Sequence, residues 1–258
     1  MSQKQAQSTD DVDDQLSDIE TCWAEMERAH EGQGDARAAA QKQLLLRYHG
    51  AAYRYLLGIV RDPHVAEELT QDFAVRFLRG DFRHADPGQG RFRDFVKTAL
   101  RHLAQDFWRK QKKALPALAE DLSKQAPSAD MPEASSDQQF LSSWRDEILA
   151  RAWESLAALE SQTGQPYLTA LLGKTVQPQL HSAQLAEELR TQLGRSFTEP
   201  AVRQLLHRAR NLFAHMLVQE VARSLETQEL EHIEEELIDL DLLPYCKSAL
   251  ERRKQGSW

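Results

Sequence analysis

The sequence predicts an all-α protein. Helix-favouring Leu, Ala, Glu, Gln and Arg are abundant along its 258 residues, and apolar residues recur every three or four positions. Runs of β-branched residues that alternate with polar ones are almost absent. With 41% hydrophobic and 28% charged residues, the composition is typical of a soluble chain. We expect two small helical domains joined by a flexible linker, with acidic helical extensions at both ends.

The acidic amino-terminal extension is assigned to residues 1–36. Its first 14 residues lack an apolar period, which is typical of disorder. A short amphipathic helix should follow, because apolar residues then recur at helical spacing: Leu16, Ile19, Trp23 and Met26. The polar, acidic start argues against a signal peptide, and no apolar run is long enough to cross a bilayer. We therefore expect a cytoplasmic protein that makes no membrane contact.

The first domain is assigned to residues 37–113. A helix over 37–61 should end at Asp62-Pro63, where the proline opens a second helix that runs to about Leu78. Glycine and proline mark 80–90 as a loop, and a basic helix occupies 91–113.

Residues 114–138 contain three prolines and are predicted to be the linker. The second domain covers 139–218. It contains a helix-turn-helix in which the helices 182–193 and 199–218 meet at Gly194. The carboxyl-terminal extension, 219–258, is acidic and contains one amphipathic helix with the apolar stripe Leu230, Ile233, Leu237 and Leu240.

Charge is distributed unevenly along the chain. The net charge is -8, but the acidic residues concentrate in 10–35 and 220–241, and the middle of the chain is net basic. This asymmetry is compatible with nucleic-acid binding by the middle. The two cysteines, Cys22 and Cys246, match no metal-ligand spacing, and buried or idle thiols are the expected interpretation. We expect no metal, no cofactor and no catalytic site.

The basic helix 91–113 is the strongest nucleic-acid candidate. On a helical wheel, the apolar side contains Phe92, Phe95, Val96, Ala99, Leu100, Leu103 and Phe107. The opposite side is basic and contains Arg93, Lys97, Arg101, Gln105, Arg109 and Lys112. Trp108 lies in the middle of the basic side. It is either a stacking platform for an unpaired base or a residue that packs on a neighbouring helix.

Two further surfaces carry recognisable chemistry. In the helix-turn-helix, Arg203, Gln204 and His207 face outwards, where Arg and Gln can contact base edges. In the helix 66–77, Glu68 and Asp72 lie one turn apart. Paired carboxylates can be catalytic, but no His, Cys or metal-ligand partner recurs at a useful spacing, so a solvated or docking face is the better interpretation.

The run RYHGAAYRYLLGIVRDPHVAEELTQDF resembles the first block of bacterial RNA polymerase sigma factors of the extracytoplasmic-function (ECF) type. The basic helix and the stretch VRQLLHRARNLF resemble their later blocks, in the same order. The resemblance implies that 37–113 is a region 2-like domain, for polymerase binding and minus-10 recognition and melting. It also implies that 139–218 is a region 4-like domain for minus-35 recognition.

The resemblance also implies roles for particular residues. The polymerase-binding residues would be Glu67, Glu68, Gln71 and Asp72. The residues of the first domain that contact DNA would be Phe82, Arg83, Arg93, Lys97, Arg101, His102, Trp108, Arg109 and Lys110. The minus-35 contacts would be Arg203, Gln204, His207 and Arg208. The implied partners are promoter DNA and core RNA polymerase, through the coiled coil of its largest subunit and its flap. An anti-sigma factor or a kinase is a further candidate.

Two hypotheses and two alternatives accompany this interpretation. One acidic extension is hypothesised to mask the basic DNA-binding faces, and Thr70 is a candidate for phosphorylation where the polymerase docks. The chain could instead be a stand-alone helix-turn-helix regulator that binds operator DNA without polymerase. A helical adaptor without a DNA role is the third interpretation, and it predicts no salt-dependent affinity for DNA.

Overall fold

The computed structural model describes residues 22–31, 34–82, 91–114, 133–225 and 229–254. Ten helices and no strand occur within these ranges, which confirms the all-α prediction. In none of the described helices is there an apolar stretch long enough to span a membrane.

The first four helices lie close to their predicted positions. They are α1 (Cys22–Glu31), α2 (Gly34–Val60), α3 (Pro63–Arg79) and α4 (Phe92–Ala114). Helix α1 ends at Glu31, and α2 begins at Gly34. Residues 1–21, with Leu16 and Ile19 of the predicted stripe, lie outside the described residues, as does 83–90 of the loop.

The ends of α3 are set by local sequence. The carboxylate of Asp62 accepts hydrogen bonds from the amides of His64 and Val65 at 2.8 and 3.1 Å, and Pro63 occupies the first turn. An N-cap of this kind satisfies amides that have no partner within the helix. At the other end Gly80 adopts a left-handed conformation with φ of 85°, which glycine tolerates without steric cost.

The helix α5 (Glu133–Thr163) is 31 residues long and begins inside the predicted linker. The assignment of 133–138 to a flexible linker is therefore wrong. The last of its three prolines, Pro132, directly precedes the helix, and proline is compatible with a helix start because it has no amide hydrogen to lose there. Residues 115–132 lie outside the described part of the chain.

The described residues form two compact units. The amino-terminal unit takes its described residues from 22–147 and 222–232, and the carboxyl-terminal unit from 148–221 and 233–254. The boundary between them lies inside α5, beyond the predicted boundary at 138. Phe140 and Trp144, each 1% exposed, account for the shift because their rings belong to the core of the amino-terminal unit.

A chain of aromatic rings forms that core. Tyr55 meets Phe140 edge-on at 5.1 Å between ring centroids, and Phe140 contacts Trp144 at 5.8 Å. Trp144 stacks on Tyr48 at 4.9 Å with the ring planes within 3° of parallel, and Tyr48 contacts Phe92 at 5.1 Å. Aromatic pairs at these separations contribute about 0.5–1.5 kcal/mol beyond the area they bury. The core therefore joins α2, α4 and the first half of α5.

The carboxyl-terminal unit contains α6 (Tyr167–Val176), α7 (Ser182–Leu193) and α8 (Glu199–Arg223). The turn after α7 forms at Gly194, which has φ of 68° and donates its amide to the carbonyl of Arg190 at 2.9 Å. At the start of α8, the hydroxyl of Thr198 accepts a hydrogen bond from the amide of Ala201 at 3.4 Å. Side chains from all three helices meet in one cluster: Ala170, Leu185, Ala186, Leu189, Val202, Leu205 and Leu206.

The carboxyl-terminal extension contains two helices where one was predicted. They are α9 (Leu230–Asp239) and α10 (Leu243–Lys254). A corner separates them, with Asp241 at φ of 55°. The sequence of α10 shows no apolar stripe because its buried positions are few: Cys246, Ala249 and Leu250. Burial raises the pKa of the Cys246 thiol to about 12, in agreement with the predicted idle thiol.

Candidate nucleic-acid and protein interfaces

The buried side of α4 is not the predicted one. Trp108, predicted to lie in the middle of the basic side, is 9% exposed and packs edge-on against Phe107 at 5.2 Å. Arg93, predicted to contact DNA, is 6% exposed. The burial of Trp108 favours its interpretation as a packing residue over that of a stacking platform, and the predicted DNA contact of Arg93 is wrong, because α4 packs against α2 and α3.

Lys97 is also engaged within the protein. Its ammonium lies 3.1 Å from the carboxylate of Asp137, at the start of α5, and 3.9 Å from that of Asp94. The Lys97 side chain is 24% exposed. The amino-terminal half of α4 therefore does not present the basic surface that was predicted for it.

The carboxyl-terminal half of α4 is exposed and basic. Exposed side chains here include four of the predicted DNA contacts: Arg101, His102, Arg109 and Lys110. Arg109 donates to Asp106 at 2.8 Å, in a side-chain pair on the same face. A cluster of exposed cations of this kind can bind phosphates through charge alone.

Phe82 lies at the start of the predicted loop. It is half-buried, and its ring lies 5.5 Å from that of Phe73 and 5.5 Å from that of Phe95. These contacts place Phe82 against α3 and α4. Arg83, the next predicted contact, lies outside the described residues.

The predicted polymerase-binding residues on α3 divide into two pairs. Glu68 and Gln71 are exposed, whereas Glu67 and Asp72 are half-buried. Gln71 donates to Glu67 at 3.1 Å, and Asp72 accepts from Arg76 at 3.1 Å. The exposed carboxylate of Glu68 is therefore the member of the set best placed to meet a partner.

Two apolar residues that sequence reasoning missed lie on the same side of α3. Val75 is 40% exposed and Leu78 is 45% exposed. They continue the line of Glu68 and Gln71, because positions separated by three or four residues share a helix face. A face that combines acidic, amide and apolar groups is suited to a protein partner. The spacing of positions 68, 71, 75 and 78, which are three or four residues apart, could have indicated this shared face.

Thr70 does not present its hydroxyl to solvent. The residue is 1% exposed, and its hydroxyl donates to the carbonyl of Ala66 at 2.7 Å. A kinase would have to unfold α3 locally to reach this oxygen. The structure therefore weighs against the phosphorylation hypothesis at Thr70.

The amino-terminal half of α8 has one buried and one exposed face. Val202, Leu205, Leu206 and Ala209 are buried. The predicted minus-35 contacts, in contrast, are all exposed: Arg203, Gln204, His207 and Arg208. Arg203 donates to Glu199 at 2.7 Å. Masking of this face by an acidic extension stays a prediction.

The carboxyl-terminal half of α8 is different in character. His215 is mostly buried, and burial together with the nearby charges of Arg252 and Arg253 on α10 lowers the pKa of its imidazole to about 4. The side chain is therefore neutral near neutral pH. Across the described ranges, no three His, Cys, Asp or Glu side chains are grouped so that they could hold a metal ion.

Comparison with known protein families gives a match to part of the chain. Residues 44–114 match the family model described as Sigma-70 region 2. The matched segment begins in α2, includes α3 and ends at the last residue of α4. No curated protein and no solved structure matches the chain.

Proposed function

We propose that this chain is a sigma factor of the ECF type, which binds core RNA polymerase and directs transcription from particular promoters. The match to Sigma-70 region 2 carries the proposal, since it indicates a sigma factor that takes part in polymerase binding and promoter recognition. The matched segment also contains the face of α3 with Glu68, Gln71, Val75 and Leu78. It includes the exposed cations in the carboxyl-terminal half of α4 as well.

The polymerase is proposed to bind the face of α3 formed by Glu68, Gln71, Val75 and Leu78. An exposed helix with an apolar end and an acidic end fits a partner that offers apolar and basic side chains. The proposed partner of this face is the coiled coil of the largest polymerase subunit. The proposed partner of the carboxyl-terminal unit is the flap of the polymerase.

Promoter DNA is proposed to bind two separate surfaces. In the amino-terminal unit, the exposed cations of α4 would hold the backbone of the melted strand, since phosphate contacts need charge and no sequence. In the carboxyl-terminal unit, the exposed face of α8 would enter the major groove of the minus-35 element. Gln204 and Arg203 are suited to base edges there, and Arg208 to phosphate.

Charge reversal on α3 tests the polymerase contact. In Glu68→Lys, we expect affinity for core polymerase to fall at least about tenfold, or ~1.4 kcal/mol, because a basic partner surface would then meet a like charge. The matched control is Glu231→Lys, which makes the same charge change at an exposed position on α9. Affinity can be measured by fluorescence anisotropy of labelled chain titrated with core polymerase.

The same titration separates the alternative. A stand-alone regulator would ignore core polymerase, would bind duplex operator DNA tightly by itself, and would show no difference between the two variants. If the wild type binds core polymerase and Glu68→Lys binds it with the same affinity, the polymerase does not dock on this face of α3.

A further inference from the structure

Residues 139–147, in the first half of α5, contact α2 at several positions. A side chain at Gly50 would place its Cβ 2.6 Å from Oε2 of Glu147, and a side chain at Gly58 would overlap the amide of Gln139. At both positions the atoms that a side chain would meet are the ends of flexible side chains, so glycine leaves room for Glu147 and Gln139 to lie against α2. The pairs run in opposite order along the two helices, which are therefore antiparallel here.

Further contacts hold this segment in place. Phe140 and Trp144 contribute their rings to the core described above. Arg54 donates to the carboxylate of Glu147 at 2.9 Å and to the backbone carbonyl of Ser143 at 3.2 Å. The segment is thus an integral part of the amino-terminal unit, although it lies outside the 44–114 match.

Docking of this segment brings Asp137 to the basic helix. Its carboxylate lies 3.1 Å from the ammonium of Lys97, 40 positions earlier in the chain. The carboxylate of Asp94, one turn before Lys97 on α4, also lies 3.9 Å from the ammonium. Two carboxylates therefore lie beside this cation and would repel an approaching phosphate. Beginning at Arg101, one turn further along, exposed cations occupy the rest of the helix.

We propose that the first half of α5 is an intramolecular clamp that withholds Lys97 from nucleic acid through Asp137, so that the DNA-binding surface of this unit begins at Arg101. The inference rests on the proposed DNA-binding role of α4. It differs from the prediction for Lys97, because it assigns this lysine to the edge of the surface and identifies the residue that keeps it there.

Removing the charge of Asp137 tests the clamp. The full-length Asp137→Asn variant is titrated with a fluorescein-labelled single-stranded oligonucleotide over a series of salt concentrations. Released Lys97 should add one phosphate contact, which steepens the slope of log K against log salt by about 0.7 and tightens binding at low salt a few fold. Circular dichroism verifies that the variant keeps its helices.

Three comparison variants make the result specific. Asp146→Asn removes the same charge from an exposed position of α5 and should leave the slope unchanged. Lys97→Gln combined with Asp137→Asn should abolish the gain, since the released cation is then absent. Arg101→Gln should lower the slope, because it removes a contact that the wild type already makes.

Each other outcome overturns a defined statement. If Asp137→Asn behaves as Asp146→Asn does, while Arg101→Gln lowers the slope, the clamp is wrong and the DNA-binding role of α4 stands. A gain that persists in the double variant also contradicts the clamp. If the wild type shows no salt-dependent affinity and no variant differs from it, both the clamp and the DNA-binding role of α4 are refuted.

Discussion

The two helices predicted to contact DNA, α4 and α8, differ in how well their sequences indicated their exposed faces. On α8, the four predicted contacts are exposed and four apolar residues on the opposite side are buried. On α4, Trp108 and Arg93 are buried and Lys97 is paired, whereas Arg101, His102, Arg109 and Lys110 are exposed.

The difference lies in the width of the buried side. The buried residues in the amino-terminal half of α8 form one narrow stripe, which packs mainly on the cluster with α6 and α7. The buried side of α4 is wider and extends to Arg93 and Trp108, where α4 packs against α2 and α3. A helical wheel that assumes one narrow apolar stripe fails where the buried side is wider than that stripe.

The largest test of this comparison is Trp108→Ala. Because the ring is buried, we expect the free energy of unfolding to fall by about 3–5 kcal/mol, as for other buried aromatic residues. Urea denaturation measures the change. On α8, His207→Ala should alter stability by less than about 0.5 kcal/mol. If Trp108→Ala keeps the wild-type stability but binds single-stranded DNA more weakly, Trp108 acts as a stacking platform for a base and not as a packing residue.

A second test concerns the buried half of α8. The pKa of His215 is about 4 in the folded protein, below the 6.5 of an exposed imidazole. Between these values the unfolded chain binds a proton that the folded protein does not, so stability falls as pH decreases from about 6.5 to 4. The loss is at most about 3 kcal/mol.

His215→Gln should flatten the dependence on pH over that window, and urea denaturation at several pH values can measure it. His207→Gln, at the exposed position two turns earlier, serves as the control and should keep the wild-type profile. Parallel profiles for wild type and His215→Gln would contradict the burial of this side chain.

The smallest expected effect concerns base recognition. Gln204→Ala should cost about 1–3 kcal/mol of discrimination between a preferred minus-35 sequence and a mutated one, because a side chain that pairs with a base edge is lost. Gln192→Ala, at an exposed position of α7, is the matched control. Competition binding with holoenzyme and promoter fragments measures the ratio, and equal discrimination by both variants would place base recognition elsewhere.

Local signals in the sequence predicted most helix ends. Asp62-Pro63 caps α3 as expected, and Gly194 forms the turn before α8, because both effects depend on neighbours within a few residues. The ion pair between Lys97 and Asp137 could not be predicted this way, since it depends on a segment 40 positions away that was taken for a linker.

Two other features were hidden for related reasons. Helix α10 buries only Cys246, Ala249 and Leu250, too few positions for a visible stripe in a charged segment. Thr70 lies among acidic residues, but burial depends on the face of α3 that packs and not on the polarity of sequence neighbours. The cationic residues of the candidate site could be named from the sequence. Which of these cations are buried or paired and which are exposed depends on how the helices pack.

Transcription by core polymerase with and without the purified chain tests the central claim most directly. Genomic fragments from the source organism serve as templates, and the start sites of the transcripts are mapped. The account predicts that the chain, but not its Glu68→Lys variant, concentrates initiation at a small set of sites that share two sequence elements. If the transcripts are the same whether or not the chain is present, although the chain binds DNA by itself, the chain is not a sigma factor.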